Sequence, residues 1–202
     1  MSREHKGIYT VGITGASGAI YGVRLVQELL KQSYKVHLIL TEAAWRVFKE
    51  ELLLDTENRD AVIDQLFGEY EGELHTHHLH DYGAPIASGS YQNNGMIIIP
   101  CSMGTLSGIA TGASGNLLER TADVMLKEER KLILVPRETP LNQLHLENML
   151  RVSKVGAKVL PAMPGFYHLP QSMDDLINFL VGKALDSLGV DHTLFTRWGE
   201  GQ

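Results

Sequence analysis

A doubly wound, mainly parallel α/β sheet is the fold this sequence predicts, and three observations predict it. Short apolar runs alternate with longer amphipathic stretches from end to end, the pattern of repeated βα units. The first run, Val11 to Ile13, stops at Gly15-Ala16-Ser17-Gly18 and passes directly into a helical spacing of Ile20, Val23, Leu25, Val26, Leu29 and Leu30. That reads as strand, tight turn and helix. Later runs also end in small, hydroxyl or charged residues. Parallel strands bring such ends to one edge, and open α/β sheets bind their ligands there.

The glycine turn sets the first site expectation. It leaves backbone N–H groups pointing out of the first helix, where a phosphate is favoured. Its glycines let a ligand approach the backbone without a side chain in the way. Gly12, Gly15 and Gly18 are spaced G-x-x-G-x-x-G, not the G-x-G-x-x-G of dinucleotide sites. On this segment alone, a turn that binds nothing stays open. The second strand, Lys35 to Leu40, ends at Thr41-Glu42 and delivers the Thr41 hydroxyl to the same edge. A helical pattern through Phe48 and a short amphipathic helix over 57–67 follow.

Residues 69–82, E-Y-E-G-E-L-H-T-H-H-L-H-D-Y, break the alternation. His75, His77, His78 and His80 invite a metal reading. No Cys pair and no H-x-x-x-H with a nearby Glu on a helix accompanies them, so the segment reads as a polar surface or interface. Small residues, Ala87-Ser88-Gly89-Ser90, precede a third strand, Met96 to Pro100. It runs into C-S-M-G-T-L-S-G at 101–108, again a strand opening onto hydroxyls and glycine before a helix. Cys101 has no evident His partner and reads as a small buried hydrophobe.

A helix over 115–131 puts Arg120 and Lys127 on one face. The fourth strand, Lys131 to Val135, ends in P-R-E-T-P. Prolines on both sides hold Arg137 and Glu138 in a rigid loop at the ligand edge. Next come a helix from Leu141 to Lys154 capped by Gly156, and a short strand, Ala157 to Leu160. A proline-rich loop over 161–172 carries Phe166 and Tyr167. The last helix, about 173–188, includes Lys183, and the tail reads T-R-W-G at 196–199.

Composition narrows the classes. The 202 residues suffice for one domain with a substantial core, and no composition break suggests a second. No apolar run approaches the ~20 residues of a membrane span, and M-S-R-E-H-K-G lacks the apolar core of a signal peptide. One cysteine excludes an internal disulfide and fits a reducing cytoplasm. A net charge of −6 argues against nucleic acid as the main partner, while a few placed cations still suffice for a small phosphate ligand.

Taken together, G-A-S-G-A-I-Y-G, P-C-S-M-G-T-L-S-G, A-D-V-M-L-K-E, V-P-R-E-T-P-L and P-x-M-P-x-F-Y-x-x-P-Q-S resemble the flavin prenyltransferase family, in order, from about residue 9 to 198. The resemblance implies a Rossmann-like or flavodoxin-like three-layer fold. It implies transfer of a dimethylallyl group from dimethylallyl phosphate to N5 and C6 of reduced flavin mononucleotide (FMN). The prenylated FMN serves a UbiD-type aromatic-acid decarboxylase. By the resemblance, Gly15, Ala16 and Ser17 form the flavin turn, with Ser17 near N5. Thr41, Ser102, Met103, Gly104, Thr105 and Arg137 are further flavin contacts. Ser90, Arg120, Lys127, Tyr167 and Lys183 hold the prenyl phosphate, Trp198 lies near the prenyl group, and Glu138 moves protons. Ser17, Glu138 and Tyr167 are the expected catalytic set. Lys183 stands where many relatives have Arg, which loses a bidentate fork but keeps the charge. The family also implies a homo-oligomer, specifically a dodecamer.

Most prenyl transfer uses Mg²⁺ on a diphosphate. This chain has no D-D-x-x-D motif, so no metal is expected, and Arg120, Lys127 and Lys183 take the charge of the leaving phosphate. Two other readings exist: an FMN-dependent decarboxylase of cysteine-type substrates on the same fold, and a non-catalytic flavin carrier or decarboxylase subunit. The first lacks its expected His and Asn-rich motif here. The second leaves Glu138, Tyr167 and Lys183 without a purpose. Which decarboxylase takes the product, and whether the donor is a monophosphate or a diphosphate, stay open.

Overall fold

The computed structural model describes residues 5–199; the first four residues, part of the N-terminal reading above, lie outside them. Six strands form one sheet in the order β3-β2-β1-β4-β5-β6: β1 (Ile8–Ile13), β2 (Lys35–Leu40), β3 (Glu73–His77), β4 (Gly95–Cys101), β5 (Leu132–Pro136) and β6 (Lys158–Val159). Every pairing is parallel, so the sheet is wholly rather than mainly parallel among the described residues. The order reverses between β1 and β4, and the crevice above that switch is where a doubly wound sheet binds.

Helices cover both faces. α1 (Ala19–Lys31), α2 (Glu42–Glu51), α3 (Arg59–Phe67) and α7 (Met173–Leu188) lie on one side; α4 (Met103–Thr111), α5 (Leu117–Lys127) and α6 (Gln143–Lys154) lie on the other. Strand alternation makes this division. Val11, Ile13, Ile97 and Ile99 pack toward α1 and α7, while Met96, Ile98, Leu132 and Leu134 pack toward α4 and α5, because successive side chains leave a strand on opposite faces. Strands buried on both faces need continuous apolar runs, which is why the segments stand out in the sequence. Helix starts are set locally: Thr41, Asn58, Ser102, Asn116, Asn142 and Ser172 each accept a first-turn N–H, which satisfies a donor the helix itself leaves unpaired.

The histidine-rich segment, polar and partly exposed as expected, is nevertheless a strand. It supplies β3 at the sheet edge, hydrogen-bonded to β2 from Lys35↔Glu73 to Ile39↔His77. Its side chains alternate: Leu74 packs into the core cluster on the α1 side, while His75 and His77, on the other face, turn toward His37 of β2. A short polar edge strand also discourages pairing with another sheet. Among the described residues no cluster of His, Cys, Asp or Glu has the arrangement to hold a metal ion, and no helix is long and apolar enough to cross a membrane.

His37 makes stability depend on pH. It is almost fully buried. Burial first, then His77, His75 and Lys35, press its pKa down to about 3, with Glu73 opposing. The unfolded chain takes up this proton near the ordinary 6.5, the folded chain only near 3. Stability is therefore complete above the unfolded value and drains away as pH falls through that window, at about 1.4 kcal/mol per pH unit per histidine. Thermal unfolding followed from about pH 7 down to about pH 5 is expected to show a steeper fall for the wild type than for His37→Gln; equal slopes would remove His37 from the account.

Candidate active site at the carboxyl edge of the sheet

The switch between β1 and β4 is closed by a threonine that the sequence reading passed over. Thr14 is buried, and its Oγ1 donates to the Pro100 carbonyl at 2.8 Å and accepts the Ser102 N–H at 2.8 Å. That clamps the ends of two neighbouring strands and fixes where α4 begins. Only its place between the first strand and the glycine turn could have signalled it.

Around the clamp lie the expected flavin residues. Gly15 is required by packing, because a Cβ there would fall 2.4 Å from that of Ala43 on α2. Gly18 takes φ +100° as the N-cap of α1, a conformation glycine adopts without cost. The open N–H groups expected at this turn are in fact taken: Gly18 and Ala19 donate to Glu51 Oε2 at 2.8 and 3.2 Å. A carboxylate thus occupies the end of α1 expected for a phosphate. Ser17 stays exposed, while Ala16 is buried. Thr41 caps α2, which leaves its hydroxyl proton available.

The start of α4 is the more open turn. Ser102 Oγ accepts the Thr105 N–H and donates to Thr105 Oγ1 at 3.1 Å. A Cβ on Gly104 would meet nothing within 4 Å, so there is room above the first N–H groups of this helix. Met103 turns its side chain into the core and offers only its main chain. Cys101 is fully buried, and burial pushes its thiol far above the usual range, so it stays protonated and unreactive.

Arg137 and Glu138 leave the end of β5 beside a cavity of about 310 Å³ lined also by Leu141, Met149 and Met163. Burial raises the pKa of the Tyr21 hydroxyl on α1, with Arg137 pulling against it and Glu51 adding to it. The β5 loop, α1 and Glu51 therefore converge. Arg137 Nε is buried with no hydrogen-bond partner among the described residues. Such a donor costs free energy unless something satisfies it. Glu138 is exposed and accepts the Thr139 N–H at 3.1 Å.

The five residues expected to share one phosphate fall into two groups. Ser90, Arg120 and Lys127 gather on the α5 side: Arg120 Nε donates to the Ala87 carbonyl at 3.2 Å, and Lys127, paired with Glu128, lies over Gly89. Tyr167 and Lys183 belong to the α7 side. Trp198 meets the Tyr167 ring at 5.5 Å, and Arg197 and Lys183 both face Asp186, at 2.7 and 3.9 Å. Since α5 and α7 cover opposite faces, the sheet stands between the groups, and one chain does not bring them together. Beside Tyr167, His168 stacks on Phe179 at 5.0 Å, with both ring nitrogens buried and unpartnered among the described residues. Its place directly after Tyr167 was the available signal.

The residues from 1 to 185 match the family model described as Flavoprotein. The flavin prenyltransferase UbiX of Alkalihalophilus pseudofirmus is 77% identical over 99% of this chain and its own full length. The chain belongs to the flavin prenyltransferase family. Among solved structures, AnUbiX (PadA1) in complex with FMN and dimethylallyl pyrophosphate superposes with a TM-score of 0.87 at 39% identity, over 98% of this chain and all of that one. A dodecameric FMN-dependent UbiX-like decarboxylase from Escherichia coli O157:H7 superposes with a TM-score of 0.85 at 42% identity, over 95% of this chain and 98% of its own. In this flavin prenyltransferase family member, the carboxyl edge brings together the hydroxyl turn at Ser102–Thr105, the Arg137 donor with no partner among the described residues, and the exposed Glu138 carboxylate.

Proposed function

We propose that this chain joins the dimethylallyl group of dimethylallyl phosphate to N5 and C6 of reduced FMN, in the cytoplasm, and that a UbiD-type decarboxylase receives the prenylated FMN. The observation that carries this reading is the carboxyl edge itself. The unpartnered Arg137 Nε and the open turn at Ser102–Thr105 suit an anionic flavin mononucleotide. Reduced flavin supplies a nucleophilic nitrogen when bound. Everything else is done by side chains: Ser17 orients that nitrogen, and Glu138 moves the proton that accompanies closure of the fourth ring. Arg120, Lys127, Lys183, Tyr167 and Ser90 take up the charge that grows on the leaving phosphate.

Because the phosphate residues sit on opposite faces, we infer that the α5 group of one copy meets the α7 group of another in a homo-oligomer, a dodecamer. Phe166, Leu169, Met173 and Trp198 are all exposed, and Trp198 meets the Tyr167 ring; isolated soluble chains rarely leave so many apolar side chains bare. The unpartnered His168 points the same way. Incubating the protein with reduced FMN and dimethylallyl phosphate, then weighing the flavin by mass spectrometry, is expected to show a gain of one prenyl unit. Flavin of unchanged mass would favour the carrier.

A further inference from the structure

The histidines of β3 have no part in the chemistry above, yet the structure ties them to it. His37 lies in β2 between Thr10 and His75 and uses both ring nitrogens. Nδ1 meets His77 Nε2 at 2.7 Å and Nε2 meets the Tyr91 hydroxyl at 2.8 Å. A neutral imidazole has one donor and one acceptor nitrogen, so one proton satisfies both contacts in either direction. The low pKa of His37 keeps the ring neutral through the working range.

Tyr91 ends the segment that carries Ser90, and that segment is gripped from one side. The carbonyls of Ala87, Gly89 and Tyr91 all accept from guanidinium groups. Arg120 Nε holds the first at 3.2 Å, and the two Nη atoms of Arg130 hold the others at 2.7 Å each. Residues 87, 89 and 91 are half-buried; Ser88 and Ser90 between them are exposed, with their hydroxyls 2.9 Å apart. Tying down alternate carbonyls leaves the intervening side chains facing outward as a pair.

We propose that Tyr91, His37, His77 and Arg130 are positioning residues that hold Ser88 and Ser90 as a preformed pair of hydroxyls for the phosphate of the prenyl donor. This rests on the reading of Ser90 as a phosphate contact. The histidine-rich edge strand is then the outer support of the substrate loop, acting through Tyr91.

Tyr91→Phe removes one hydroxyl and keeps the ring. It is expected to raise KM for dimethylallyl phosphate roughly fivefold to tenfold, as loss of one hydrogen bond does, with FMN affinity unchanged. His77→Leu should do the same, and His77→Gln, which can still bond His37, should restore KM. The triple variant Tyr91→Phe/Ser88→Ala/Ser90→Ala should show only the KM of Ser88→Ala/Ser90→Ala, because the tyrosine acts through the two serines. An unchanged KM in Tyr91→Phe, or effects that simply add in the triple variant, would overturn the inference. Ser90→Ala alone with wild-type KM would instead remove the phosphate reading of Ser90, and this inference with it.

Discussion

Co-expressed Arg120→Ala and Lys183→Ala chains are expected to recover prenyl transfer that neither variant retains alone. On the proposed function, each substitution removes a cation from the place where negative charge would develop, a loss of about 10²–10³ in rate. The two positions lie on opposite faces of the sheet, on α5 and α7. If a phosphate site takes its α5 group from one copy and its α7 group from another, random mixing rebuilds about a quarter of the sites from intact halves. Hybrids purified through two different tags should therefore work at about that fraction of the wild-type rate. Hybrids as inactive as their parents would mean that each chain builds its own site, and the inter-subunit arrangement would be wrong. Lys183 is held only loosely to Asp186, at 3.9 Å, so it is free to turn to a phosphate, whereas Arg197 is bound more closely to the same carboxylate at 2.7 Å.

Glu138→Gln is expected to separate the two bonds. The carboxylate is exposed, accepts the adjacent Thr139 N–H, and lines the cavity beside the β5 loop. Glutamine keeps the shape and the acceptor oxygen but cannot carry a proton. Attachment at the first position should proceed, while ring closure slows by about 10²–10⁴, the usual contribution of a positioned acid or base. The singly attached and the ring-closed flavins have the same mass, so absorbance must tell them apart. Ring closure at the wild-type rate would leave the proton to the released phosphate. Ser17→Ala belongs to the same series: with the turn held by Gly15 against Ala43 and by Glu51 on the Gly18 and Ala19 N–H groups, turnover should suffer more than flavin binding.

The wide reach of the sequence here has a physical cause. Strands buried on both faces must be apolar throughout, so β1, β2, β4 and β5 announce themselves, and the turns between them carry their chemistry in consecutive residues. The glycine turn, Ser102–Thr105 and Arg137-Glu138 could all be read, because each is one local segment at the end of one strand. The motifs were also dense enough to give the family. β3 was hidden, since an edge strand with one apolar face and one histidine face lacks the usual apolar signal, and only its pairing to β2 reveals it. The charge at the end of α1 was hidden as well: Glu51 lies 33 residues from Gly18, and nothing local says that it will cap that turn. Thr14, between the first strand and its glycine turn, showed no role until Pro100 and Ser102 were placed beside it. Sequence spacing put Arg120 with Lys127, and the family resemblance named Tyr167 and Lys183. It could not say that a sheet would stand between the two pairs. That separation follows from helix handedness and strand alternation, which decide the face each helix covers only once the chain has wound in both directions.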